Sequence, residues 1–374
     1  MFNFKKKSFK KFDFILFLTV LTLCLFGFVV LHSATLSTAT GESIMRSQSI
    51  ATIIGFIAIA VLVIMDYEFI GKLYIPIYIV SIALLVTVLI FGIGDEQVGV
   101  GARSWLNIGG FVFQPAEFVK IGLIISLAKF IDKNKETINA PFTLIKILLF
   151  AFFPVFLIFL QPDLGTAVVF IFFILAMLFA AGIKWRYFGY AIGIGLLSLP
   201  IIWFNLASFQ KNRILDFIDP SRDTSGTGYQ ALQGRIAIGS GQLLGRGLYQ
   251  GSQTQFNFIP AKQTDFIFAV LSEELGFLGG AILMLLYFIM MQRFLAIGKK
   301  SEDMFGSLMA IGIFASFLIH IWENIGMTIG LMPITGIPLP FFSHGGTYQL
   351  VNLISVGIVL SVGLRKKGGL SFQE

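Results

Sequence analysis

Charge is what this chain has least of: only 13% of its 374 residues are Asp, Glu, Lys or Arg, about half the share carried by a soluble domain. So few charges cannot cover a water-facing surface, which excludes an ordinary soluble enzyme of this length. Cysteine is almost absent as well. With Cys24 alone, no disulfide framework can form within the chain. The histidines, His32, His320 and His344, show no ligand spacing, which argues against a histidine-built metal centre. Acidic residues number 20 against 27 lysines and arginines, a formal charge of +7. That excess does not require a nucleic-acid partner, because the basic residues gather beside apolar runs as the positive-inside rule describes.

What is present is apolar sequence: 56% of the residues are hydrophobic and 42 are Phe. A hydrocarbon core about 30 Å thick takes about 20 apolar residues as a helix. Runs of that kind lie near 14–34, 49–66, 74–93, 115–131, 142–160, 164–183, 187–206, 265–292, 305–329 and 345–364. The expected fold is therefore an all-α integral membrane protein of about ten transmembrane helices, forming one polytopic domain over residues 1–374. The first run follows Lys5, Lys6, Lys7, Lys10 and Lys11, and no small-residue cleavage site comes after it. It reads as an uncleaved helix with a cytoplasmic N-terminus. Further basic residues at Lys72, Lys129, Lys133, Lys135, Lys184, Arg186, Arg293, Lys299, Lys300, Arg365, Lys366 and Lys367 put both termini in the cytoplasm.

Two segments on the opposite side are unusual. Gly94 to Gln114 is short and glycine-rich, with Arg103 and Trp105. Residues 207–264 form a long loop between the seventh and eighth spans, and loops of that length are functional or disordered. Within it, Tyr229 to Ser240 has helical spacing and predicts a short interfacial helix. No repeat relates the two halves, which weakens an inverted-repeat transporter reading.

Polar residues inside lipid need an explanation, since a charge at the bilayer centre costs at least about 2.5 kcal/mol. Glu117 and Lys120 share one helix face at i and i+3 behind Gln114-Pro115. They form either a self-neutralising helix start or the polar wall of an outward cavity. Asp163 in Gln161-Pro162-Asp163 and Asp265 in Gln263-Thr264-Asp265 are helix caps or cavity acids. Glu273 and Glu274 cannot both face lipid, and a structural pairing is as natural as a catalytic one. Trp322-Glu323-Asn324 lies mid-span. From Pro333 to Thr347, prolines and glycines preclude a regular helix, and irregular backbone at membrane depth survives only inside protein or beside water. A re-entrant loop before the last helix is expected there. Cations such as Arg46, Arg103 and Lys120 near a carboxylate suit an anionic amphiphile, and the carboxylate is suited to deprotonating a hydroxyl.

The motifs Gly101-Ala102-Arg103-Ser104-Trp105-Leu106, Gln114 to Lys120, Gln161 to Thr166, Thr264-Asp265-Phe266-Ile267-Phe268, Glu273-Glu274-Leu275-Gly276 and Gly336 to Phe341 with Ser343 and Gly345-Gly346 resemble the SEDS family of shape, elongation, division and sporulation proteins. Gln250 to Gln255 before Phe258-Ile259-Pro260 is closer to the elongation branch than to the division branch. Gln263 stands where many members have His, and His344 where many have Tyr.

The resemblance implies a peptidoglycan glycosyltransferase that polymerises lipid II during rod-shaped growth. It also implies a bacterial plasma-membrane location, an active site on the outer face, and a class B penicillin-binding protein as partner. The other bound species would be the undecaprenyl-pyrophosphate-linked glycan. By motif, Asp265 and Lys120 are the expected catalytic residues, with Asp265 as general base and Lys120 facing it. Arg103, Gln114, Glu117, Asp163, Arg46, Arg213, Arg235 and Ser343 are the expected substrate-binding residues. A divalent cation, Mg or Mn, would share charge on the departing pyrophosphate. Two other classes remain open: a lipid II flippase or transporter, and a scaffold that only recruits the partner enzyme.

Overall fold

A computed structural model describes residues 12–94 and 103–365. The N-terminal lysines Lys5 to Lys11, the Gly101-Ala102 pair and Lys366-Lys367 lie outside the described residues. Helices dominate: α1 Phe14–Thr35, α2 Gly41–Ile64, α3 Tyr67–Lys72, α4 Tyr74–Phe91, α5 Pro115–Lys133, α6 Pro141–Phe159, α7 Leu164–Ala180 and α8 Trp185–Asn205 precede the long loop. Within that loop are α9 Ser208–Ile218, α10 Thr227–Gly241 and α11 Ser252–Gln255, followed by α12 Ile267–Lys299, α13 Met304–Thr328 and α14 Gly346–Gly363. A hairpin of β1 Leu106–Ile108 and β2 Phe111–Phe113 leads into α5, with Leu106 opposite Phe113.

Among the described residues eight helices, α1, α2, α4, α6, α8, α12, α13 and α14, are long and apolar enough to cross a membrane. Two further expected spans correspond to α7, with 17 residues, and α5, whose 19 residues include Glu117, Lys120, Lys129, Asp132 and Lys133. Both pack among the others, α7 against α13 and α5 against α4 and α13. Local chemistry sets many of the helix starts. Asp13, Asp66, Asp163 and Asp303 cap α1, α3, α7 and α13 through backbone N–H groups three or two residues on, and Pro opens α5 and α6. The helix expected near 49–66 begins earlier, at Gly41, which places Arg46 within α2 rather than in a preceding loop.

The core is the α13–α14 pair, buried along most of both helices. By contrast, α8 buries no residue at all. At one end of the bundle Arg293 Nη2 meets Asp13 Oδ2 at 2.5 Å, Arg365 pairs with Asp66, and Tyr67 donates to Asp303 at 3.2 Å. Both ends of the described chain therefore lie on the same face.

The long loop is more ordered than its glycines suggest. Besides the expected helix, which starts at Thr227, it contains α9, an amphipathic stretch that the sequence reading passed over. The glycines of α10 allow tight docking: Gly234 lies under the Phe266 ring, and a side chain on Gly241 would overlap the Ser272 carbonyl. The helix is packed on α12 rather than lying free at an interface.

The docked segment also repairs a break. Inside α12, Gly276 has φ 63° and ψ −161°, which interrupts the helical ladder. Four backbone groups lose their partners there, a serious cost near lipid. Residues 242–247 supply replacements. Phe277 N–H donates to the Gln242 carbonyl at 2.8 Å and Leu278 N–H to Leu243 at 3.1 Å. In return, Arg246 and Gly247 N–H donate to the Glu273 and Glu274 carbonyls, each at 3.0 Å.

The two buried glutamates anchor the loop as well. Glu273 accepts from Gln253 N–H at 2.8 Å, Thr254 N–H at 3.0 Å and the Thr254 hydroxyl at 2.8 Å. Glu274 accepts from Ser33 of α1 at 2.5 Å. The Lys262 ammonium is bound by Ser37, the Thr254 carbonyl and Asn257 at 2.6–2.7 Å. Burial pulls Lys262 below the usual lysine range, and Glu274 opposes that shift. Of the two readings open for the glutamate pair, the structural one describes these contacts. Glu273→Ala would strand the N–H groups of residues 253 and 254, at about 1–3 kcal/mol for each buried donor. We expect faster amide exchange across 249–262 in that variant, measured by hydrogen–deuterium exchange, with α1 and α14 unchanged.

Candidate functional site

The site is built on the irregular Pro333 to Gly345 segment. Leu339, Phe341, Phe342 and Ser343 are fully buried, so this non-helical backbone runs inside protein as expected for membrane depth. Phe341 has φ 65° and Gly336 φ 79°, bends that the extended and helical regions do not provide.

Asp265 sits just before α12, on a turn held by that segment. Its own carbonyl and the two before it each accept a hydrogen bond. His344 N–H donates to Gln263 at 2.8 Å, Ser343 Oγ donates to Thr264 at 2.5 Å, and Asn324 Nδ2 of α13 donates to Asp265 at 2.9 Å. The same Asn324 amide donates to the Ile337 carbonyl at 2.8 Å. Asp265 is half-buried, and its Oδ2 lies 3.6 Å from where a side chain on Gly336 would begin. A side chain at 336 would therefore lie in van der Waals contact with the carboxylate.

Other expected residues meet the same strip of backbone. Arg213 Nη1 of α9 donates to the Thr335 carbonyl at 3.3 Å. The Thr335 hydroxyl donates to Glu323 Oε2 at 3.4 Å. Gly165, in the first turn of the helix that Asp163 caps, packs close enough that a side chain there would begin 3.1 Å from the Thr335 carbonyl. Asp163 accepts from Thr166 N–H at 3.1 Å, Thr166 Oγ1 at 2.9 Å and Gln114 Nε2 at 3.2 Å. It is thus both a cap and the link between α5 and α7. Arg235 lies against Gly330, whose lack of a side chain leaves room for the guanidinium. Arg213, Arg235 and Asp216 line one cleft with Met327, Met332 and Ile334. Arg46 and Arg103 are exposed.

Two of the expected residues have partners within the fold. Ser343 was expected on the substrate side. Its hydroxyl is fully buried, accepts from Leu339 N–H at 2.7 Å and donates to Thr264, so it shapes the loop and the Asp265 turn. Lys120 is the residue expected to face Asp265. Its ammonium is bound by Glu117 Oε2 at 2.7 Å and His320 Nε2 at 3.0 Å. With Lys120 3% and Glu117 6% exposed, a buried ammonium takes the carboxylate nearest on its own helix face, and the i,i+3 spacing supplies one.

Sequence reasoning assigned no role to Asn324, His320 or Tyr348. Asn324 and His320 are one turn apart on α13, a polar pair at i and i+4 in an apolar run, which was a usable signal. Among the described residues no cluster of three or more His, Cys, Asp or Glu is placed to hold a metal ion.

The comparisons agree with this architecture. Peptidoglycan glycosyltransferase MrdB of Escherichia coli K12 is 40% identical over 291 residues, covering 78% of this chain and 77% of the relative. Rod shape determining protein RodA of Thermus thermophilus superposes with a TM-score of 0.71 at 27% identity, covering 96% of this chain and 98% of that one. A chain from a peptidoglycan synthase complex, described as coordinating polymerization and crosslinking, reaches 0.80 at 29% identity, covering 97% and 99%. The cell cycle protein family model of FtsW, RodA and SpoVE matches residues 14–368. This chain belongs to that family, the SEDS proteins whose motifs its sequence carries.

Proposed function

We propose that this chain is a peptidoglycan glycosyltransferase that polymerises lipid II on the outer face of the bacterial plasma membrane, with both termini in the cytoplasm. The reading rests on family membership and on one observation: Asp265 is held by a hydrogen bond to each of three consecutive carbonyls, with its carboxylate beside Gly336. A carboxylate on so constrained a turn is pre-aimed, which is what general-base catalysis requires.

In the reaction, the sugar hydroxyl of one lipid II attacks the anomeric carbon of the lipid-linked strand. A carbon–oxygen bond forms there as the bond to pyrophosphate breaks. The hydroxyl proton goes to Asp265, and undecaprenyl pyrophosphate departs with the negative charge. Arg213 and Arg235, on the cleft beside the same loop, are suited to that charge. Arg46 and Arg103 would meet the phosphates at the exposed mouth, and Gln114, Glu117 and Asp163 would line the α5–α7 side. Lys120 contributes positive potential under the Pro/Gly loop. A divalent cation, Mg or Mn, bound with the pyrophosphate would take phosphate and water ligands in the main, which needs no dedicated protein cluster. The partner is a class B penicillin-binding protein that crosslinks the strands, and the cellular role is elongation. The naming of MrdB, of RodA as rod shape determining, and of the synthase complex supports both.

The test is purified protein, with its partner, incubated with lipid II and resolved on a product gel. Glycan ladders are the expected result. Lipid translocation in vesicles with no polymer would assign the chain to the flippase class instead.

A further inference from the structure

His320 lies in the middle of α13, 3% exposed, with both ring nitrogens engaged. Its Nε2 is 3.0 Å from Lys120 Nζ on α5. Its Nδ1 is 3.2 Å from the Tyr348 hydroxyl on α14. That hydroxyl is 2.9 Å from the Pro338 carbonyl in the Pro/Gly loop. Donor counting gives the chain a direction. A carbonyl only accepts, so the single Tyr348 proton goes to Pro338. The Tyr348 oxygen then offers lone pairs to His320, and the imidazole must donate from Nδ1. A neutral ring with its proton on Nδ1 has a lone pair on Nε2, and the Lys120 ammonium donates into it. The doubly protonated ring would set one N–H against another, with two positive charges 3.0 Å apart.

We propose that His320 is a positioning residue for Lys120: as the Nδ1–H tautomer it accepts from the ammonium alongside Glu117 and ties it to the loop that carries the Asp265 turn. Lysine has three N–H donors. Glu117 and His320 take two of them, and tetrahedral geometry then sets the direction of the third. The path continues to the aspartate. Pro338 is bonded to Tyr348, its neighbour Ile337 to Asn324, and Asn324 to Asp265. One hydrogen-bonded scaffold therefore spans α5, α13, α14 and the loop. It fixes Lys120 relative to the Asp265 turn. A histidine that merely satisfied its own nitrogens in the core would need neither a fixed tautomer nor a charged partner.

The activity arm of the test rests on the transferase reading above, and the spectroscopic arm does not. Full-length protein with 15N-labelled histidine, in lipid nanodiscs, reports the tautomer by NMR, with His320→Gln identifying the signal among His32, His320 and His344. The expected spectrum has a protonated Nδ1 and an unprotonated Nε2 at neutral pH, and Lys120→Met shifts Nε2 far more than Nδ1. A protonated Nε2, or a signal indifferent to Lys120→Met, overturns the proposal. In polymerisation with the partner present, His320→Leu should lower kcat by about 10- to 100-fold, the range of a displaced catalytic group, with KM for lipid II little changed. His320→Gln should recover most of that loss, because its amide keeps an acceptor towards Lys120 and a donor towards Tyr348. Unchanged kcat in His320→Leu, or equal loss in both variants with intact folding, also overturns it. A wild-type protein that makes no glycan sinks the transferase reading while the tautomer measurement still decides the scaffold.

Discussion

Asp265→Asn should abolish glycan polymerisation almost completely while the protein folds normally. The substitution is isosteric, and the three hydrogen bonds that fix the turn end on the backbone carbonyls of residues 263–265, not on the carboxylate. The change leaves those backbone bonds in place and replaces the carboxylate, the proposed proton acceptor, by an amide. General-base catalysis contributes about 10²–10⁴-fold, so the initial rate of lipid II consumption should fall by that factor, with the thermal midpoint in lipid nanodiscs nearly unchanged. Asp265→Glu tests the positioning directly. It restores a carboxylate but lengthens the side chain by a methylene, which displaces the oxygens from their place beside Gly336. Partial activity in Glu with none in Asn is the expected pattern. A wild-type rate in the Asn variant would remove this residue from the chemistry.

The second large effect is on stability. Gly276→Ala should prevent the protein from accumulating in folded form, or lower its melting temperature severely. With φ 63° and ψ −161°, the residue occupies a region that is essentially closed to side-chain-bearing residues, at a cost of about 1–3 kcal/mol. The added methyl would also overlap the Gly245 nitrogen and lie 2.7 Å from the Leu243 carbonyl carbon. These atoms belong to the segment that replaces the broken ladder of α12, so the overlap also pushes out the hydrogen bonds to Gln242 and Leu243. Fluorescence-detected gel filtration of the detergent-solubilised variant checks this. A monodisperse peak with wild-type melting would show that the break is not needed. Gly193→Ala on α8, where nothing lies within 4 Å of the added carbon, is the matched control.

Much of this molecule was legible before any coordinates. The spans follow from run length and polarity, and Asp163 read as a helix cap because its capping bonds are local. The Pro333 to Thr347 stretch read as irregular because proline and glycine act on their own backbone. The Glu117–Lys120 pair was visible from i,i+3 spacing. Other features were not legible. Arg213 was named only for its charge, but its bond to Thr335 crosses 122 residues of sequence. The two bonds of the Ser343 hydroxyl were hidden because a motif serine carries no mark of whether its hydroxyl is spent on the fold. The α9 helix was missed because its amphipathic pattern is short and sits within a glycine-rich loop.

By itself the sequence determined a membrane-embedded helical bundle, the places where regular helix must fail, and a set of polar side chains too costly to leave against lipid. Each of these depends on composition and on neighbours within a few residues. The tertiary structure alone decided that Lys120 is shared between Glu117 and His320, that residues 242–247 mend α12, and that Asn324 joins Asp265 to the loop. The reason is physical. Inside a membrane every buried polar group must find a partner, but which partner it finds depends on how helices distant in sequence pack. Lys120 and His320 are 200 residues apart.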